Sequence, residues 1–231
     1  MTSPSVLVVP GAWHKPAHFR LLVDELSDVD VHTVALTSSG DDPAVLEDMH
    51  SDADAIARTA AAIDGPIIVV AHSYGGVPTT QALSRADNVA RIVYLAAFQL
   101  EAGEALVTPN GGALMPWSRR RRRQGIGDYV EVITPMTTFY HDVEAAIAER
   151  AVAQLGYQSY ASMSQPLTAT AWQTIPSTYV ICEADNAISV AAQEAMARRA
   201  DTVERLPASH SPFLSQPAAL AALIRKSFEN Q

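Results

Sequence analysis

Along the chain, short apolar runs rich in β-branched residues alternate with longer stretches rich in Ala, Leu, Arg and Glu. The runs fall at residues 6–9, 31–36, 67–71, 90–95, 178–181 and 202–206. The middle runs are largely apolar, and 67–71 is apolar throughout, as strands are when both faces of a parallel sheet are covered. The stretches at 16–26, 46–63, 77–85, 190–200 and 217–228 are built from helix formers. Strand–helix alternation with short connections predicts an α/β fold, a mostly parallel, doubly wound sheet of about six strands.

The alternation breaks between residues 99 and 173. Pro109, Pro116, Pro135 and Pro166 interrupt this segment, and two amphipathic helices fit inside it, near 114–123 and 143–155. The pattern predicts a helical lid, residues 99–173, inserted after the fourth strand into a core made of 1–98 and 174–231. A second domain is the alternative, but roughly 70 residues make a small independent core.

Composition narrows the classes. A chain of 231 residues with 48% hydrophobic and 18% charged positions has enough apolar material for one compact domain. A net charge of −9 argues against nucleic acid or an anionic membrane surface as the main partner. No apolar run approaches the roughly 18 residues of a membrane helix. Residues 1–5 carry no basic segment, and the next apolar run stops at Pro10-Gly11, too short for the core of a secretory leader. The single cysteine, Cys182, excludes an intrachain disulfide framework and a multi-cysteine metal site. The expectation is a cytoplasmic, enzyme-sized domain.

The most informative stretch runs from Ile67 to Pro78. A buried strand leads straight into Ser73, with Ala71 and Gly75 two positions to either side, and a helix begins near Gly76. This is G-x-S-x-G with alanine first, in the strand–turn–helix context that the motif requires. A sharp turn leaves no room for side chains at the flanking positions. It lifts the hydroxyl above the sheet and places the Tyr74 N–H beside it, where the helix N-terminus favours a developing oxyanion. The plain alternative is a strand-to-helix turn with an incidental serine.

Such a serine needs a base and an orienting acid, in chain order Ser, Asp/Glu, His. Only His141 and His210 follow Ser73. His210 stands in the loop after the last strand, at the edge where open α/β sheets place their sites. His141 lies in the expected lid, a less rigid place for a base. For the acid, Asp185 falls just past the strand at 178–181, with Glu183 as runner-up. The loop after the first strand, Pro10 to His14, supplies a second oxyanion donor, the Ala12 N–H, because Gly11 lets the backbone approach closely.

The segments Val8 to His14, Ala71 to Gly76, Val180 to Asp185 and Ser209 to Pro212 resemble the α/β-hydrolase superfamily. They are most similar to its small-lid branch of plant methyl-ester hydrolases, plant hydroxynitrile lyases and bacterial esterase-like proteins. The resemblance covers nearly the whole chain and is weakest in the lid. It implies Ser73, Asp185 and His210 as a catalytic triad, with the Ala12 and Tyr74 amides as oxyanion hole. Two departures are Pro10, where many members have histidine, and Ala71 for the first elbow glycine. The chain also begins at what resembles the family's third strand.

The resemblance implies a serine hydrolase of a small-molecule ester, thioester or lactone. A lyase on the same triad is the second reading. Plant lyases of that type carry threonine at the position of Gly11 and lysine at that of Ser211, and this chain has neither. A non-catalytic receptor on the fold is the third. The expected pocket walls are Trp13, Trp117, Phe139 and Tyr140, with Leu155 and Met163. The arginine run at 119–123 reads as a solvated helix face, with a carboxylate or phosphate clamp as the sharper option. His72 reads as packing, and Cys182 as inert. No metal and no organic cofactor are expected, since no His/Asp/Glu cluster has ligand spacing and the glycine pairs lack phosphate-loop context. Assembly as a homodimer stays open.

Overall fold

The computed structural model describes residues 5–229; the leader reading of residues 1–4 lies outside them. Among the described residues the strands are β1 (Ser5–Val9), β2 (Val31–Thr33), β3 (Ser39–Gly40), β4 (Ile67–His72), β5 (Val89–Leu95), β6 (Ser118–Arg123), β7 (Gly127–Val132), β8 (Tyr157–Ser159), β9 (Ser177–Cys182) and β10 (Thr202–Leu206). Six of them form one sheet in the order β10-β9-β5-β4-β1-β2. Every neighbouring pair in it is parallel. The six apolar runs of the sequence are these six strands. Strands β1, β4 and β9 are buried at every position, whereas the edge strands β2 and β10 are largely open. That is why the inner runs carry no polar alternation.

Helices cover both faces, as the alternation predicts. The helix Met49–Ala61 shows the cause locally. Asp48 caps it by accepting the Ser51 N–H at 3.0 Å. Met49, Ala53, Ile56 and Ala60 return to one buried face every three to four residues. Burying Ile56 or Met49 completely contributes about 1.5–3 kcal/mol each. None of the described helices is long and apolar enough to cross a membrane.

The segment 99–173 is not the helical element expected: among the described residues it contributes the three strands β6, β7 and β8 to a second sheet. No helix spans 114–123. Ser118–Arg123 is instead the strand β6, paired antiparallel with β7 in the register Arg119↔Glu131, Arg120↔Val130 and Arg122↔Asp128. Arg120 and Arg122 both bond the Asp128 carboxylate, Arg121 reaches Glu131 at 2.7 Å, and the Arg120 guanidinium lies 3.6 Å over the Tyr160 ring. These cross-strand pairs outweigh the helix preference of arginine. The second expected helix is present as Ala145–Gln154, its first turn capped by Glu144.

The second sheet has the order β3-β8-β7-β6. Its β3–β8 pair, with Ser39 opposite Gln158, stitches the insertion to the core just after β2. The carboxyl ends of β1, β4, β9 and β10 converge beneath that second sheet, and the candidate site lies there.

Candidate active site

Strand β4 delivers Ser73 on a strained turn. Its φ is +53°, a left-handed value uncommon outside glycine and typical of a nucleophile elbow. Two glycines make the turn possible. A Cβ at Gly75 would stand 2.4 Å from the Pro10 carbonyl oxygen. At Gly11 it would stand 2.8 Å from both Ser73 Cβ and His72 Nδ1. The loop after β1 therefore lies directly against the serine.

The loops after β9 and β10 bring the other two groups. His210 Nδ1 is 2.7 Å from Asp185 Oδ2, and His210 Nε2 is 2.9 Å from Ser73 Oγ. A carboxylate only accepts, so Nδ1 carries the proton and Nε2 presents its lone pair to the serine hydroxyl. Asp185 is itself held by three further donors. The Ala187 and Ile188 N–H groups reach Oδ1 at 2.6 and 3.0 Å, and Gln193 Nε2 reaches Oδ2 at 3.1 Å. The runner-up acid, Glu183, is exposed and paired with Arg205. His141 is also exposed and donates to the Ala184 carbonyl.

Beneath His210 lies a layer of buried imidazoles. His72 donates from Nε2 to the His210 carbonyl oxygen at 2.9 Å, and the two rings are 4.6 Å apart. His14 donates from Nδ1 to the Ala12 carbonyl at 2.9 Å and accepts the Tyr140 hydroxyl at 2.8 Å. Burial, reinforced by neighbouring imidazoles, holds both His14 and His72 well below the usual histidine range, so both are neutral. The Cys182 thiol is pushed up by burial, in keeping with an inert side chain.

Ser73, Ala12, Tyr74, Trp13 and Trp117 line one chamber, together with Met163 and Leu106. It is narrow, with about 20 Å³ free. Phe139 and Tyr140 stand one layer back. Phe139 packs on the Trp13, Trp117 and His210 rings, and Tyr140 is engaged with His14. Leu155 lines a separate outer hollow. Beyond the chamber opens a groove of about 710 Å³. Phe98, Met115, Trp117, Ala187 and Ile188 border both spaces. The Trp117 indole donates to the Ala187 carbonyl at 3.3 Å across that boundary.

Sequence reasoning missed Gln193, which carries no signal except a polar residue on a buried helix face. The Asp142 carboxylate accepts the Ser209 N–H at 2.7 Å and ties the His210 loop to the segment 99–173. Among the described residues no cluster of His, Cys, Asp and Glu could hold a metal.

The chain matches the alpha/beta hydrolase family over residues 6–223, and it belongs to that family. A relative named alpha/beta hydrolase nvfD, from Aspergillus novofumigatus, is 31% identical over 98% of this chain and 97% of its own. Among solved structures, a methylesterase from Arabidopsis superposes with a TM-score of 0.83 at 18% identity, covering 98% of this chain and 100% of that one. A pyrethroid hydrolase from Sphingobium faniae JZ-2 gives 0.81 at 23% identity, covering 99% and 98%.

Proposed function

We propose that the chain is a serine hydrolase cleaving a small carboxylic ester, thioester or lactone through an acyl-enzyme. The observation that carries this reading is His210 bridging Asp185 and the hydroxyl of Ser73 on its strained turn. In this mechanism His210 Nε2 takes the Ser73 proton as Oγ attacks the acyl carbon. The carbonyl oxygen gains the electron pair and rests on the Ala12 and Tyr74 N–H groups. Asp185 stabilises the imidazolium. When the carbonyl re-forms, the alcohol leaves with the His210 proton. Water then attacks the acyl-enzyme by the same route and regenerates Ser73.

The apolar chamber suits a compact acyl group, and the adjoining groove suits a larger apolar remainder of the substrate. Residues 99–173 act as the lid of a core made of 1–98 and 174–231. The names of the two structural neighbours, a methylesterase and a pyrethroid hydrolase, point the same way. The lyase reading is disfavoured at Gly11, where the crowding at Ser73 and His72 leaves no space for a threonine side chain.

The test is labelling with a fluorophosphonate and turnover of p-nitrophenyl acetate. The wild-type protein is expected to label at Ser73 and to turn over. Ser73→Ala is expected to fold, to escape labelling, and to lose roughly 10⁴-fold or more in kcat. Retention of a tenth of the wild-type rate would overturn the assignment.

A further inference from the structure

Trp13 follows Ala12 directly and holds φ at +65°, a conformation a bulky residue rarely adopts without external support. All three of its polar groups find that support in the insertion. Its N–H donates to Gln158 Oε1 at 3.2 Å, its carbonyl accepts the Gly156 N–H at 2.9 Å, and its indole Nε1 donates to the Val130 carbonyl at 2.8 Å. The peptide joining Ala12 to Trp13 is thus held at both ends, with His14 on the Ala12 carbonyl and Gln158 on the Trp13 N–H.

From Gln158 the chain of hydrogen bonds continues inward. Its Nε2 donates to Ser38 Oγ and Ser162 Oγ, each at 2.7 Å. The Ser38 hydroxyl donates to the Asp52 carboxylate. Asp52 Oδ2 also accepts the Tyr74 hydroxyl at 2.6 Å, while Oδ1 accepts the Ser38 N–H at 2.9 Å and the Thr37 hydroxyl at 3.2 Å. Ser38, Asp52, Tyr74 and Gln158 are all fully buried. A buried carboxylate and amide are a poor route to stability when apolar residues could fill the same space. The two ends of this network fall on the two residues that flank or carry the oxyanion donors.

We propose that Gln158 and Asp52 are positioning residues for the oxyanion pocket: one buried network holds the Trp13 peptide and the Tyr74 ring, and so sets where the Ala12 and Tyr74 N–H groups point. This rests on the serine-hydrolase reading and deepens it. Docking of the insertion and assembly of the oxyanion pocket become a single event.

Two substitutions cut the network at opposite ends. Gln158→Met keeps the volume and removes every polar contact of the side chain. Tyr74→Phe removes the hydroxyl and leaves the Tyr74 N–H in place. The readouts are kcat and KM for p-nitrophenyl acetate per site titrated to completion with a fluorophosphonate, the inhibition constant of a trifluoromethyl ketone, the pH profile and the melting temperature. The ketone's serine adduct places an oxyanion in the pocket.

Each variant is expected to lose roughly 10- to 100-fold in kcat, with a parallel loss of ketone affinity. KM and the shape of the pH profile stay unchanged. The double variant should lose less than the product of the two single losses, because both cut one network. If Gln158→Met does not fold, Tyr74→Phe and Ser162→Ala decide the matter by the same readouts. An active wild type whose folded variants keep kcat and ketone affinity within threefold would overturn this inference alone, whatever happens to the melting temperature. A wild type that neither labels nor turns over would overturn the hydrolase reading and this inference with it.

Discussion

Replacing Asp185 by asparagine probes the site with one atom changed. Asp185 Oδ1 faces two backbone N–H groups, from Ala187 and Ile188, at 2.6 and 3.0 Å. An amide NH₂ turned that way would meet two donors it cannot satisfy. The asparagine oxygen therefore takes the Oδ1 place, and its NH₂ takes the Oδ2 place, 2.7 Å from His210 Nδ1 and 3.1 Å from Gln193 Nε2. A donor there forces His210 Nδ1 to accept, so the ring proton moves to Nε2. His210 then donates toward Ser73 Oγ at 2.9 Å and can no longer receive its proton. A wrong tautomer of this kind costs on the order of 10⁴-fold in kcat, which corresponds to about 5.4 kcal/mol of transition-state stabilisation. The new NH₂ also faces the NH₂ of Gln193, donor against donor, which adds a stability loss of about 1–3 kcal/mol. The assay is steady-state hydrolysis of p-nitrophenyl acetate, normalised to the folded fraction from urea unfolding. Glu183→Gln is the control, because Glu183 is exposed and bonded to Arg205, and its activity should be unchanged. A loss below tenfold in Asp185→Asn, or a larger loss in Glu183→Gln, would refute the reasoning.

Three further outcomes are expected. His14 and His72 are held neutral in the folded chain, whereas the unfolded chain takes up their protons below pH 6.5, so stability falls as pH falls through that value. Urea unfolding of His72→Asn between pH 7.5 and 5.5 should therefore show a shallower pH slope than the wild type. Gly11→Ala places a methyl 2.8 Å from Ser73 Cβ, pushes the oxyanion loop off the serine, and should reduce kcat by roughly 100-fold; a rate within threefold of wild type would contradict the close approach. Trp117→Ala joins the chamber to the groove, and should raise the kcat/KM of p-nitrophenyl octanoate relative to the acetate by roughly tenfold or more; an unchanged ratio would show that Trp117 does not divide them.

The inner core strands are legible because burial on both faces leaves a largely apolar run, while the edge strands β2 and β10 are legible from their place in the strand–helix alternation. The meeting of Ser73 with His210 is legible for a different reason: a tight turn after a buried strand imposes small neighbours, and a histidine in the loop past the last strand falls at the same sheet edge. The place after β9 left Asp185 and Glu183 both open, and only the structure shows which of them meets His210. The hairpin β6–β7 is hidden because five consecutive arginines carry no period, and their partners Asp128 and Glu131 act across strands rather than along one. Asp52 and Gln158 are hidden more deeply. Nothing local separates a buried polar residue from a surface one, and only the fold brings Ser38 and Tyr74 to the Asp52 carboxylate and Gln158 to the Ser38 hydroxyl.

Strand β6 is the free edge of the second sheet, and all five of its arginines are exposed. A free edge offers unpaired backbone groups to any passing strand, and cross-chain zippering of that kind leads to filaments and precipitates. Here an antiparallel approach by the same edge of a second molecule would lay arginine against arginine. Only Asp128 and Glu131 on the strand behind would offset them. That repulsion acts over about 10 Å at 0.1 M salt and shrinks to about 3 Å at 1 M. The colloidal behaviour of concentrated solutions should therefore depend on ionic strength through this edge, with turbidity after mild heating increasing as salt is added and increasing further when the arginines are replaced by glutamine.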